Sequence, residues 1–206
     1  MKRWLSLLAL PLLTACGYNR IQTLDEQANT TQSQIEVQLQ RRADLIPNLV
    51  NTVKGYAQHE AEVFEQVAAA RSGLVQAIQT HDAEQMANAN AALTNQLGRL
   101  MVSVEAYPQL KADASFRQLQ DELTGTENRI AVSRQDYNQA VNAYNSYIRQ
   151  FPAVVTAKMT GAKERKYFTA SANATAGPPT VDFSKPSAPA QPAPVTPTPP
   201  PTPKKP

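Results

Sequence analysis

The chain has 206 residues, with 20 Lys and Arg against 17 Asp and Glu, two histidines and one cysteine. A single cysteine excludes an internal disulfide, and a nearly balanced charge without a basic stripe argues against nucleic acid as a partner. Seven glycines, and a middle region dominated by Ala, Gln, Asn and Leu, favour long helices over strands in one domain with appendages.

Residues 1–15 read as a lipoprotein signal peptide. Lys2 and Arg3 precede an apolar run from Trp4 to Leu13, and small Thr14 and Ala15 lead to Cys16. Positive charge holds the start on the cytoplasmic side, the apolar run enters the bilayer, and the small side chains let a peptidase reach the backbone. The Cys16 thiol is the one nucleophile able to accept a diacylglyceryl group. A spanning helix fits less well, because it needs about 20 apolar residues and Tyr18, Asn19 and Arg20 follow at once. Residues 16–20 are therefore expected to be a lipid-anchored N-terminus, on the periplasmic or outer face of a cell membrane or outer membrane. Removal of the signal lowers Lys plus Arg from 20 to 18 and leaves the 17 acids.

Residues 21–169 are expected to form an all-α bundle. The first stretch, from about Ile21 to Arg71, repeats Ile35, Leu39, Leu45, Ile46, Leu49, Val53, Tyr56, Val63 and Val67 at threes and fours. Pro47 lies inside it and removes the hydrogen bond to the Ala43 carbonyl. Because the apolar phase continues through Pro47, a kink is expected rather than a break. Ser72-Gly73 and Gln79-Thr80-His81 place a turn region between 73 and 82. Asp82 with Gln85 resembles a capping box that opens a second helix ending at Tyr107 before Pro108. Asp113 is the N-cap of a third helix, in which Phe116, Leu123, Ile130, Tyr137, Tyr144 and Phe151 recur every seven residues up to Pro152. A second row adds Leu119, Thr126, Ser133, Ala140 and Tyr147. Twelve of the 16 prolines lie from Pro178 onward, so residues 170–206 are expected to be a disordered tail with polyproline II character.

Arg41-Arg42-Ala43-Asp44-Leu45-Ile46-Pro47-Asn48-Leu49-Val50, continuing to Lys54-Gly55-Tyr56 and His59-Glu60, resembles the signature of the LemA family. Glu105 to Ala112 resembles the family's turn before its last long helix, and Glu127-Asn128-Arg129-Ile130, Tyr137-Asn138, Tyr144-Asn145 and Phe151-Pro152 resemble that helix. The resemblance implies an elongated antiparallel bundle of long helices, anchored at its N-terminus and facing away from the cytoplasm, with no known enzymatic activity. The lipobox, in place of a longer membrane segment, and the Pro-rich tail depart from the family pattern.

Candidate chemistry is sparse. His59-Glu60 begins a His-Glu-x-x-His motif, but position 63 is valine, and His81 is the only other histidine. No Gly-x-Ser-x-Gly elbow and no glycine-rich phosphate loop occurs, so neither a catalytic residue, a metal nor a cofactor is expected. Arg41, Arg42, Asp44 and Asn48 cluster around Pro47. They serve either as structural polar groups, bonded across the kink and to Glu127, Asn128 and Arg129, or as a docking surface for a partner. Asp44→Ala is expected to cost more stability than Arg42→Ala, since Asp44 borders the freed carbonyl. The leading functional reading is a membrane-anchored, non-enzymatic scaffold or adaptor with an envelope protein partner. The alternative is a structural lipoprotein whose tail contacts the cell wall.

Overall fold

A computed structural model describes residues 2–57 and 59–170, with side chains from Gly17 onward. Its helices are α1 (Lys2–Lys54), α2 (Ala61–Thr80), α3 (Ala83–Val104), α4 (Pro108–Ala112), α5 (Ala114–Arg149) and α6 (Ala153–Thr160). No strand occurs among the described residues, and the all-α expectation holds. The expected signal side chains and the Pro-rich tail lie outside the described residues.

The long pair α1 and α5 runs antiparallel, as three cross-links along it show. Tyr56 Oη donates to Asp113 at 3.0 Å at one end, Arg129 Nε to Gln38 at 3.1 Å in the middle, and Ile21 and Leu24 share a buried cluster with Tyr144 and Ile148 at the other end. At 1.5 Å per residue, the 53 residues of α1 span about 80 Å, so the bundle is elongated. The antiparallel α2–α3 hairpin covers only the C-terminal part of α1. There Ile35, Leu39, Ile46 and Leu49 meet Phe64, Val67, Leu74, Leu93, Leu97 and Leu100 in the main core, with Phe116, Ile130 and Tyr137 from α5.

The expected first stretch is two helices rather than one. The chain leaves α1 at Gly55, where the Tyr56 and Ala57 amides both bond the Val53 carbonyl, and α2 starts at Ala61. An antiparallel turn keeps apolar residues inward on both sides, so Val53 and Val67 stay in phase across the reversal and conceal it. Tyr56, expected inside, is 41% exposed. Ser72-Gly73 in turn does not interrupt α2, because Leu74 is fully buried and holds the helix through the glycine.

The turn narrows to His81 and Asp82. His81 adopts φ 53°, the left-handed conformation that ends α2, and α1 secures it: Gln32 Nε2 donates to the His81 carbonyl at 2.8 Å. Asp82 caps α3 by accepting from the Glu84 and Gln85 amides at 2.9 and 3.1 Å, and Asp113 caps α5 from the Phe116 amide at 2.9 Å. These backbone bonds are the leading reason that both carboxyls titrate below the ordinary aspartate range.

The C-terminal part differs most from expectation. The seven-residue rows bury Phe116, Ile130, Tyr137 and Tyr144, but α5 stops at Arg149 and leaves Phe151 85% exposed. A further helix, α6, follows. Gly161, with φ 72°, closes it as the Ala162 amide bonds the Ala157 carbonyl at 3.0 Å. From there residues 162–170 run back without helix.

Candidate functional site

Arg41, Arg42, Asp44 and Asn48 do not form one cluster, because helical spacing turns Arg42 inward and the other three outward. Arg42 is 4% exposed. Its guanidinium donates to Asn90 Oδ1 at 2.6 Å and Thr94 Oγ1 at 3.0 Å on α3, and lies 2.5 Å from the Glu127 carboxylate on α5. One arginine thereby ties three helices together. Burial lowers its pKa and Glu127 acts in the opposite direction, and Nε has no hydrogen-bond partner. Asn128 and Arg129 are exposed, and Arg129 reaches Gln38 instead.

Asp44 is exposed and accepts from Gln40 Nε2 at 2.8 Å, within its own helix. The Ala43 carbonyl freed by Pro47 is met from elsewhere: Arg71 Nε on α2 donates to it at 2.8 Å. Arg71 therefore does what was expected of Asp44 and Asn48, and α1 remains helical through Pro47. Arg71→Ala is expected to cost about 1–3 kcal/mol by leaving a buried acceptor unpaired. With Pro47→Ala also present, the residue-47 amide can bond that carbonyl, and removing Arg71 should cost less than about 1 kcal/mol. Urea melts of the four proteins give this coupling directly, and equal costs in both backgrounds would disprove the pairing.

The segment 162–170 forms a strap along α5. Asn145 accepts from the Arg165 amide and donates to the Arg165 carbonyl, both at 2.9 Å. Asn138, one heptad away, accepts from the Phe168 amide at 2.8 Å, and Tyr137 Oη donates to the Lys166 carbonyl at 2.9 Å. The strap reaches the other helices through its side chains. Arg165 donates to Asp25 and Asn29 of α1 at 2.8 and 2.7 Å and lies over the Tyr144 ring. Lys166 bridges Asp82 and Glu84 at 3.1 and 3.2 Å. Only the paired Tyr-Asn steps at 137 and 144 hinted at this arrangement.

The end of the bundle next to Gly17 is assembled from α1, α5 and α6. The Cys16 side chain lies outside the described residues. Its neighbour Gly17 is close against α6, where an added Cβ would sit 3.3 Å from Thr156 Oγ1. Ile21, Leu24, Tyr144, Ile148 and Ala157 form a small core of their own below it. Among the described residues no helix is long and apolar enough to cross a membrane. No group of three or more His, Cys, Asp and Glu side chains there is placed to hold a metal ion. His59 is exposed, and His81 Nδ1 lies 3.0 Å from Glu36.

The chain is similar to magnetosome proteins MamQ 1 and MamQ 2 of Paramagnetospirillum magneticum, at 30% identity over 187 positions covering 80% of this chain and 69% of each relative. It is also similar to MamQ of Magnetospirillum gryphiswaldense, at 29% with the same coverage. The LemA family profile matches residues 31–183, which take in the Arg42 tie, the Pro47–Arg71 pairing and the strap. The chain belongs to the LemA family.

Proposed function

We propose that this chain is a lipid-anchored, non-enzymatic scaffold or adaptor of the cell envelope, held to a membrane through Cys16 and offering one stripe of α1 to a protein partner. The observation that carries the reading is the stripe itself. Val37, Arg41, Asp44 and Asn48 are all exposed and follow one another at four, three and four residues, the spacing of a helix–helix seam. Among the described residues, none of these four side chains bonds to another helix, whereas the intervening Arg42 serves the fold. The buried or half-buried polar groups Arg42, Asn90, Glu127, Asn145 and Arg165 are likewise engaged in joining helices and strap, which leaves no convergent set for acid–base or nucleophilic work. The relatives are named for the magnetosome, a structure rather than a reaction, which fits a scaffold.

Two measurements test the two parts. The intact mass of the native protein should show acyl chains on a mature N-terminus at Cys16, and Cys16→Ala should abolish that mass. A photo-crosslinking residue at Asp44 should give one discrete adduct in cells, and the same residue at Val102, which is 74% exposed on α3, should not. Identical adduct patterns at the two positions would remove the adaptor reading, and an unmodified mass would remove the lipid.

A further inference from the structure

The anchor end carries three large apolar side chains that the bundle does not cover. Phe151 is 85% exposed, Val155 47% and Met159 79%. They succeed one another at four-residue steps, so the turn before α6 and one face of α6 present them together, while Ala153, Thr156 and Ala157 pack the opposite face inward. Elsewhere the exposed large aliphatics Val37, Val102 and Val132 stand singly on α1, α3 and α5, Tyr56 and Tyr167 lie outside helices, and exposed Tyr18 on α1 belongs to this same end. Lys158 lies within this face, and exposed Arg20 and Lys163 belong to the same end. None of these three cations has a carboxylate partner among the described residues. Two of the nearby acids are otherwise engaged, Glu164 with Arg149 and Asp25 with Arg165. The position of the face identifies what covers it. Thr156 faces Gly17, the residue after Cys16, closely enough that an added Cβ would meet its Oγ1 at 3.3 Å, and α6 is only about 12 Å long, so the whole face lies within a short reach of the acylation site.

We propose that Phe151, Val155 and Met159 insert into the interfacial layer of the bilayer that holds the Cys16 lipid, with Arg20, Lys158 and Lys163 on anionic headgroups. A short helix with an apolar face and cationic neighbours lies in the interface plane in this way. The acyl anchor supplies attachment, and the α6 face supplies orientation, pressing this end of the bundle to the membrane instead of leaving it to swing on a tether. The inference rests on the membrane-anchored reading above.

The test uses the full chain reconstituted in vesicles of phosphatidylethanolamine and phosphatidylglycerol. Acylation consumes the only native thiol, so Met159→Cys supplies a single position for an environment-sensitive thiol dye, and Val102→Cys supplies the control. Both are exposed surface positions that the fold does not use. Dye at 159 should emit blue-shifted light on vesicles and lose the shift in Phe151→Ser/Val155→Ser protein, while dye at 102 should stay aqueous throughout. Equal, aqueous emission at 159 and 102 on vesicles overturns the proposal. A blue shift at 159 that needs no vesicles and grows with protein concentration also overturns it, by assigning the face to a second copy of the chain. The mass of the same sample reads the anchor separately. If Cys16 proves unmodified, the anchored reading fails, and Met159→Cys combined with Cys16→Ala decides the α6 face by the same emission criterion.

Discussion

Glu127→Ala is expected to destabilise the bundle by about 2–4 kcal/mol, and more than any substitution at the exposed positions Arg41, Asp44 or Asn48. Arg42 is 4% exposed, and its guanidinium stays charged when the carboxylate beside it is removed. It then keeps only the neutral acceptors Asn90 and Thr94, while Nε already lacks a partner. An uncompensated charge in that position costs far more than the pair returned, because its Coulomb energy and its desolvation largely offset each other while both partners are present. The cost falls short of that for a wholly buried pair because the Glu127 side chain is 46% exposed and shares its charge with water. Arg42→Met together with Glu127→Met should recover about half of the loss, leaving about 1–2 kcal/mol for the Asn90 carbonyl without a donor. Asp44→Ala should stay within about 0.5 kcal/mol of the parent, since it gives up one exposed bond to Gln40. Urea melts of the set rank these costs, and a Glu127→Ala protein as stable as Asp44→Ala would show the pair to be a solvated surface contact.

Sequence alone put the larger cost at Asp44 and the smaller at Arg42, whereas the structure moves the cost to the Arg42 pair, and the difference shows where sequence was legible. Periodicity identified α5 well, because Phe116, Ile130, Tyr137 and Tyr144 bury on one face at the spacing a seam requires. The Asp82 and Asp113 caps were legible for the same local reason: a carboxylate two or three residues before free amides has one evident use. The link from Arg42 to α5 was legible as well, at Glu127. Its depth was not, since periodicity gives no signal for a charged residue that sits on the inner face with its partners on other helices. Arg71 was hidden for a related reason. It lies 28 positions from the carbonyl it serves, and only the reversal at Gly55 brings the two together. Phe151 stayed in the seven-residue row on paper, but the helix that would have carried it inward ends two residues earlier. The strap has no periodicity, and its bonds are made by side-chain amides of Asn138 and Asn145 to its backbone.

Tyr137→Ala is expected to be the most costly single substitution, at about 3–5 kcal/mol. The ring is 2% exposed in the main core, so truncation leaves a cavity that rigid neighbouring helices cannot fill. Burial also raises the pKa of its hydroxyl, in keeping with a phenol that donates to a backbone carbonyl rather than to water. Tyr137→Phe keeps the ring and removes that donor, and should cost about 1 kcal/mol. The two variants separate core from strap. Phenylalanine should leave the core amides of α1 and α5 protected, yet speed hydrogen exchange at the Phe168 and Arg165 amides, which Asn138 and Asn145 hold on either side of the lost bond. Alanine should raise exchange throughout the main core, since it lowers global stability. Unchanged strap protection in Tyr137→Phe would place the strap's stability in the asparagine clamps and in Arg165 with Asp25 and Asn29. The distinction matters at the Cys16 end of the bundle, because Arg165 is the side chain through which the strap grips the turns of α1 at Asp25 and Asn29. A loosened strap would free those turns from α5, and α6 would no longer be held in a fixed position beside Gly17.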